Sequence, residues 1–260
     1  ILVIILVLAA AVAAVYFIFV RPPEVNMSRR DDGNTPQDST GSGEDIVTDT
    51  RDLKKYTFLL LGQDDGNGNT DTMMVATFDT AAHTLNVVSI PRDTLVNVSW
   101  PVKKANTLYS YIETMDEMNS HLADILGYEV DFYVIVDLEA FEILIDEIGG
   151  VYYDVPVDMQ YSDPGQDLYI DIKAGPQMLS GAEALKVVRF RSGYANADIG
   201  RIDTQQDFLK TAAEQILANK NSLSLTSLAN VFLNYVETDL DYGEVAWFAQ
   251  QFMKIDGADI

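Results

Sequence analysis

The amino-acid sequence predicts an α/β fold: a three-layer αβα sandwich with a mixed central sheet, preceded by a transmembrane helix and a disordered stalk. Three observations carry this expectation. Short apolar runs rich in β-branched and aromatic residues, bounded by Gly, Pro or Asp, recur through the first half of the domain. One of them, "DFYVIVD" (131–137), leads directly into an amphipathic "LEAFEILIDEI" that stops at Gly149-Gly150. From Ser180 onward the pattern is mostly helical. Strands mixed with helices, followed by several helices, suit a sheet covered on both faces.

Taken in order, "KYTFLLLG" (55–62) is an apolar run ending in Gly, a buried strand, and "DTMMVATFD" (71–79) is a second. "HTLNVVSIPR" (83–92) follows after the short turn "TAAH". There Pro91 ends the pairing by removing a donor, and the charged Arg92 and Asp93 come at once. A helix is expected from about 107 to 126. "VYYDVPVDM" (151–159) reads as a strand leaving the core, and "LYIDIKAG" (168–175) as a further short strand. Helices are expected at roughly 180–189, 200–219, 224–236 and 241–254.

The N-terminal region has a different character. Residues 1–20 carry no charge, and at 1.5 Å per residue a helix of that length spans a hydrocarbon core of roughly 30 Å. "RPPEV" follows where a signal peptide needs a small-residue cleavage site, so a transmembrane anchor is expected. Residues 21–52 are expected to form a flexible acidic linker: between 31 and 52 there are seven acids and one base, and almost no apolar side chains. The globular domain then occupies 53–260. A net charge of −23 argues against nucleic acid as a partner. The absence of cysteine excludes disulfides, thiolate zinc sites and a cysteine nucleophile, and two histidines exclude a His-rich metal centre.

The arginines are unevenly placed. Of eight, four lie in the anchor flank and stalk, and the domain keeps Arg92, Arg189, Arg191 and Arg201. Arginine suits planar, bidentate recognition of phosphate or carboxylate, so the grouping points to an anion site, against structural ion pairs as the alternative. In "VVRFRSG", Arg189 and Arg191 point the same way on an extended segment and diverge by about 200° on a helix; Gly193 favours the extended reading. In "NADIGRIDTQQ", Asp198 is the expected N-cap, with Arg201 and Gln205 on one face near a helix N-terminus that favours anions. The loop in "LLLGQDDGNGNTDT" (59–72) has Asp64 and Asp71 at its lips, where two carboxylates can converge on a hard cation; a polar hairpin loop is the alternative. It is neither a P-loop nor an EF-hand: no Lys-Ser/Thr follows its glycines, and Thr70 and Ala76 stand where an EF-hand needs Gly and Glu.

The ordered set "FLLLGQD…DTMMVATFD", "VVSIPRDTLV", "IGGV", "LSGAEALKVVRFR" and "DIGRIDTQQDFL" resembles the LytR-CpsA-Psr family of cell-wall enzymes over about residues 56–210. The resemblance implies a membrane-anchored, single-pass protein with an extracytoplasmic phosphotransferase domain. Such an enzyme moves a glycopolymer, such as teichoic acid or capsular polysaccharide, from a polyprenyl pyrophosphate carrier onto peptidoglycan. It also implies Mg²⁺ held by Asp64 and Asp71, and pyrophosphate bound by Arg92, Arg189, Arg191 and Arg201 with Gln205 beside them. Where many members carry an Arg just before the second aspartate, this chain has Asn69; the common Arg-Gln pair reads Thr204-Gln205. Compared with a full family domain the chain is expected to stop short at Ile260, leaving the last helix without a closing strand.

On this reading the arginines stabilise charge on the leaving polyprenyl phosphate, and positioning and electrostatics supply most of the rate. Asp93 is a candidate base, with orientation of Arg92 its preferred role, and Lys104 a candidate contact to substrate phosphates. An apolar groove for the lipid is expected from "DFYVIV", "FEILI" and the C-terminal helices. Mg-dependent hydrolysis of the pyrophosphate, and non-catalytic binding of prenyl phosphate or wall polymer, are the alternatives.

Overall fold

The computed structural model describes residues 54–63, 70–166, 168–192, 194 and 198–257, together with Val20, Pro22, Pro23 and Val25. The expected anchor and most of the linker lie outside these residues, and among those described no helix is long and apolar enough to cross a membrane.

A five-stranded mixed sheet forms the centre. Strands β1 (Lys55–Gln63), β2 (Thr70–Asp79), β3 (Thr84–Ser89), β4 (Phe132–Val136) and, near the C-terminus, β9 (Glu237–Thr238) lie in the order β3-β2-β1-β4-β9. Neighbours are antiparallel except β1 and β4, which run parallel with Leu60 opposite Val134. Both faces of β1, β2 and β4 are buried, which explains their continuous apolar runs. Leu59, Leu61, Met73, Val75 and Ile135 face one side. There they meet Leu108 of α1 (Leu108–Tyr111) and Met118 and Leu122 of α2 (Met115–Leu126). Tyr56, Phe58, Ala76, Phe78, Phe132 and Val134 face the other. The period-2 alternation of side chains divides the residues between the two cores.

The expected helix over 107–126 is broken in two. Ile112 is extended (φ −89°, ψ 154°), and Thr114 restarts the helix by accepting a hydrogen bond from the Glu117 amide. "TMDE" is a capping signature that outweighs the continuous helical pattern. Helix α3 (Leu138–Glu147) is capped by Asp137 and ends before Gly149 and Gly150, both at positive φ (88° and 81°). Two small ribbons follow. Strand β5 (Val151–Val155) pairs with β8 (Gly175–Leu179), and β6 (Met159–Asp163) with β7 (Leu168–Ile172), all antiparallel.

Four helices complete the chain: α4 (Gly181–Arg189), α5 (Asp198–Ala218), α6 (Leu225–Tyr235) and α7 (Tyr242–Phe252). Ser180 and Glu183 form a reciprocal capping box at the start of α4. Gly181 is required there, because a Cβ would sit 2.1 Å from the Glu142 carbonyl oxygen of α3. Leu217 of α5, Ala229 of α6 and Val245 and Phe248 of α7 cover the second face of the sheet, with the Phe58 and Phe248 rings edge-to-face at 4.9 Å. Val25 packs against this same cluster.

Candidate active site

The site is built where β2 begins. Beyond β3 the ladder runs on for one residue, since the Ile90 amide donates to the Met73 carbonyl at 2.8 Å. Pro91 then ends it, and the Thr94 amide closes a turn onto the Pro91 carbonyl at 2.9 Å. That turn carries Arg92 back toward β2, where its Nη1 donates to Asp71 Oδ1 at 3.0 Å. The proline and charge pair at the strand end thus deliver Arg92 to Asp71.

The other arginines come from the helical half. Helix α4 ends at Arg189 because Phe190 turns extended (φ −66°, ψ 129°) and buries its ring against Tyr194. Arg191 thereby returns to the site and donates through Nη2 to Asp71 Oδ2. The expectation that Arg189 and Arg191 share an extended segment is corrected: Arg189 is the last helical residue and Arg191 lies beyond the cap, yet both line the same cavity. Arg201, in the first turns of α5, is only 3% exposed and donates through Nη1 to the Asp71 carbonyl at 3.2 Å. Helix α5 begins at Asp198, whose side chain lies outside the description.

Gln205, expected beside the substrate, is a buried clamp. Its Nε2 reaches Thr72 Oγ1 at 3.2 Å and the Val188 carbonyl at 2.9 Å, joining β2, α4 and α5. Gln206, which sequence reasoning passed over, donates to Ser89 Oγ at 2.9 Å and ties α5 to the strand that carries Arg92. The adjacent glutamines four and five residues after Arg201 were the available signal. Thr204 bonds the Tyr194 hydroxyl at 2.9 Å, and Gly200 makes room for that side chain, since a Cβ there would lie 2.5 Å from the Tyr194 Cβ and 2.6 Å from its ring.

Asp93 pairs with Lys104. Its carboxylate accepts from Lys104 Nζ at 2.6 Å on the surface, and that hydrogen bond holds the carboxyl below its ordinary range. Arg92 donates to Asp71. Lys104 is accordingly engaged with Asp93, and neither side chain lines the cavity.

A cavity of about 760 Å³ opens beside the arginines. Asp71, Arg189, Arg191, Arg201 and Gln205 are among its polar lining, together with Gln63, Thr72, Asp137 and Ser192. The remaining wall is largely apolar: Phe58 and Val134 from the sheet, Phe141 and Leu144 from α3, and Phe232 and Phe248 from α6 and α7. Residues from "DFYVIV", "FEILI" and the C-terminal helices line this cavity. Asp64 lies outside the described residues, among which no group of three acids or histidines could hold a metal.

A model of the LytR_cpsA_psr family matches residues 22–260. The chain belongs to that family. Among curated relatives of this LytR_cpsA_psr member is the polyisoprenyl-teichoic acid–peptidoglycan teichoic acid transferase TagV of Bacillus subtilis (strain 168). It is 30% identical over 214 residues, covering 78% of this chain and 54% of TagV. The regulatory protein MsrR of Staphylococcus aureus (strain COL) is 27% identical over 190 residues, covering 72% of this chain and 57% of MsrR. The chain spans about half the length of these curated relatives. The crystal structure of B. subtilis TagV superposes with a TM-score of 0.65 at 28% identity, over 80% of this chain and 82% of that chain.

Proposed function

We propose that this LytR_cpsA_psr member is a phosphotransferase that moves an anionic glycopolymer from a polyprenyl pyrophosphate carrier onto peptidoglycan, outside a membrane to which residues 1–20 anchor it. The observation that carries the reading is the junction of a large apolar cavity with arginines gathered around Asp71. A prenyl pyrophosphate has those two parts, an apolar tail and a compact polyanionic head. Burying one five-carbon unit contributes on the order of 4 kcal/mol at about 0.8 per carbon. A few units therefore outweigh any one charge-assisted hydrogen bond of about 1.5–3 kcal/mol. The tail supplies affinity, and the arginines supply position and charge. The printed name of TagV, a teichoic acid transferase to peptidoglycan, supports the same class of donor and acceptor.

In this reading Arg92, Arg189, Arg191 and Arg201 engage the pyrophosphate oxygens. A sugar hydroxyl of peptidoglycan attacks the polymer-side phosphorus, a new P–O bond forms, and the bond to the bridging oxygen breaks. Polyprenyl phosphate leaves with the electron pair, its charge stabilised by the arginines, and the proton of the attacking hydroxyl passes to solvent. Asp71 suits Mg²⁺, which is commonly held by one or two carboxylates plus substrate phosphates, and Asp64 is the second carboxylate we assign to it. When bound, the ion neutralises charge on the pyrophosphate.

The test is incubation of the protein with a polyprenyl pyrophosphate-linked oligosaccharide, Mg²⁺ and peptidoglycan oligomers, read by mass spectrometry. A phosphodiester-linked adduct that disappears on adding chelator is the expected product. Free sugar phosphate without adduct would mean hydrolysis instead, and retained, unchanged lipid a binding module.

A further inference from the structure

We propose that Asp71 sets the selectivity of the arginine cluster: its carboxylate is the resident anion there, and it yields the arginines to a ligand that brings a divalent cation. Both carboxylate oxygens are engaged, Oδ1 by Arg92 at 3.0 Å and Oδ2 by Arg191. The two guanidiniums arrive from separate elements, 21 and 120 positions away in sequence. A planar anion gripped by guanidiniums on both oxygens is the arrangement by which arginine holds phosphate. Asp71 therefore occupies the place of the anion that the site is read to bind. The inference rests on the proposed function in taking the cluster as a pyrophosphate site.

The consequence follows from charge balance. A bare anion entering the cluster must break two charge-assisted hydrogen bonds and then face the displaced Asp71 carboxylate at short range, where like charges repel. A pyrophosphate carrying Mg²⁺ meets neither obstacle. The carboxylate exchanges its guanidiniums for the cation, and the guanidiniums pass to the phosphate oxygens. The exchange needs only rotation of the Asp71 side chain, because the local backbone is held by Arg201 on the Asp71 carbonyl and by the pairing of Thr72 with Gly62 in the sheet. Orthophosphate or a single phosphodiester, such as one within the polymer itself, chelates a divalent cation poorly and is turned away.

The experiment is calorimetric titration of the full chain in detergent with inorganic pyrophosphate and with orthophosphate, in Mg²⁺ and in EDTA. It compares wild type with Asp71→Ala and Asp71→Asn. Wild type should bind pyrophosphate at least about tenfold more tightly in Mg²⁺ than in EDTA. Asp71→Ala in EDTA should bind it at least about tenfold more tightly than wild type in EDTA, a modest gain because the pairs are partly exposed. Both variants should also lose the preference for pyrophosphate over orthophosphate. Equal affinities of wild type and variants in EDTA would overturn the gating role and leave the arginine site standing. No binding by any of the three in either buffer would overturn the pyrophosphate site itself. Melting curves confirm folding, and Asp71→Asn keeps the side-chain shape if the alanine variant fails to fold. Should both variants fail, wild type alone decides: orthophosphate in EDTA bound as tightly as pyrophosphate in Mg²⁺ overturns the proposal.

Discussion

Asp93 and Lys104 meet at 2.6 Å on the protein surface, one residue along from the arginine that Asp71 holds. The Lys104 hydrogen bond keeps the Asp93 carboxyl below its ordinary value of 3.8. A depressed carboxylate contributes stability above its unfolded pKa and loses it as pH falls through the depressed value, so the pair's contribution is present above about pH 4 and fades below it. Both side chains are about half exposed, which leaves the pair worth little. Asp93→Asn should therefore leave the melting temperature within about 2 °C. It should also leave turnover within severalfold, with the acid limb of the pH–rate profile unmoved. A hundredfold loss with a shifted acid limb would make Asp93 the base after all.

Arg191 and Arg201 separate function from folding. The Arg191 side chain is 45% exposed, whereas the Arg201 residue is 3% exposed inside the junction of β2 and α5. Arg191→Ala should abolish transfer with little change in unfolding temperature. Arg201→Ala should abolish transfer and also destabilise by about 3 kcal/mol, since it removes a buried charged partner. Parallel activity assays and thermal unfolding check both.

The cavity offers a test of the tail without touching the head. Ala213 of α5 lines it. Ala213→Trp should project a ring into that space and weaken binding of a long-chain prenyl pyrophosphate by at least about tenfold, while inorganic pyrophosphate binds as before. Loss of both affinities would show that the ring disturbs the arginines instead.

Gly181 fixes the distance between α3 and α4. A methyl group there meets the Glu142 carbonyl, so Gly181→Ala should cost about 2–3 kcal/mol by overpacking. In a domain of this size that is roughly 4–12 °C in thermal unfolding. Arg189 closes α4, so transfer should fall as well.

The strands β1, β2 and β4 could be read directly because both their faces are buried, and residues buried on both sides leave a continuous apolar run. β8 and β9 could not. "GPQML" begins with a Gly-Pro that signals a turn, and Pro176 is tolerated because it sits in a two-stranded ribbon. Glu237-Thr238 has no pattern at all and is a strand only because β4 lies beside it. At the site, the arginines stood out by scarcity in an acidic chain. That Asp71 is what gathers three of them was not legible, because the convergence is made by residues 21, 120 and 130 positions away. Gln205 was found by its spacing from Arg201, but spacing could not distinguish a hand on the substrate from a clamp on the frame.

β9 has a consequence for how the chain is made. It adds to β4 through Val134–Thr238 and Ile135–Glu237, pairs about a hundred residues apart, and the parallel β1–β4 pairing is also long-range. Closing such loops precedes any reward from the contacts, so the sheet assembles slowly and late. Until the region around residue 238 has emerged, β4 is an uncovered sheet edge bearing the apolar Phe132 and Val134, open to pairing with another copy. Productive folding thus depends on keeping nascent chains apart until the region around residue 238 arrives. Any truncation before Glu237 should yield aggregates rather than a smaller soluble domain.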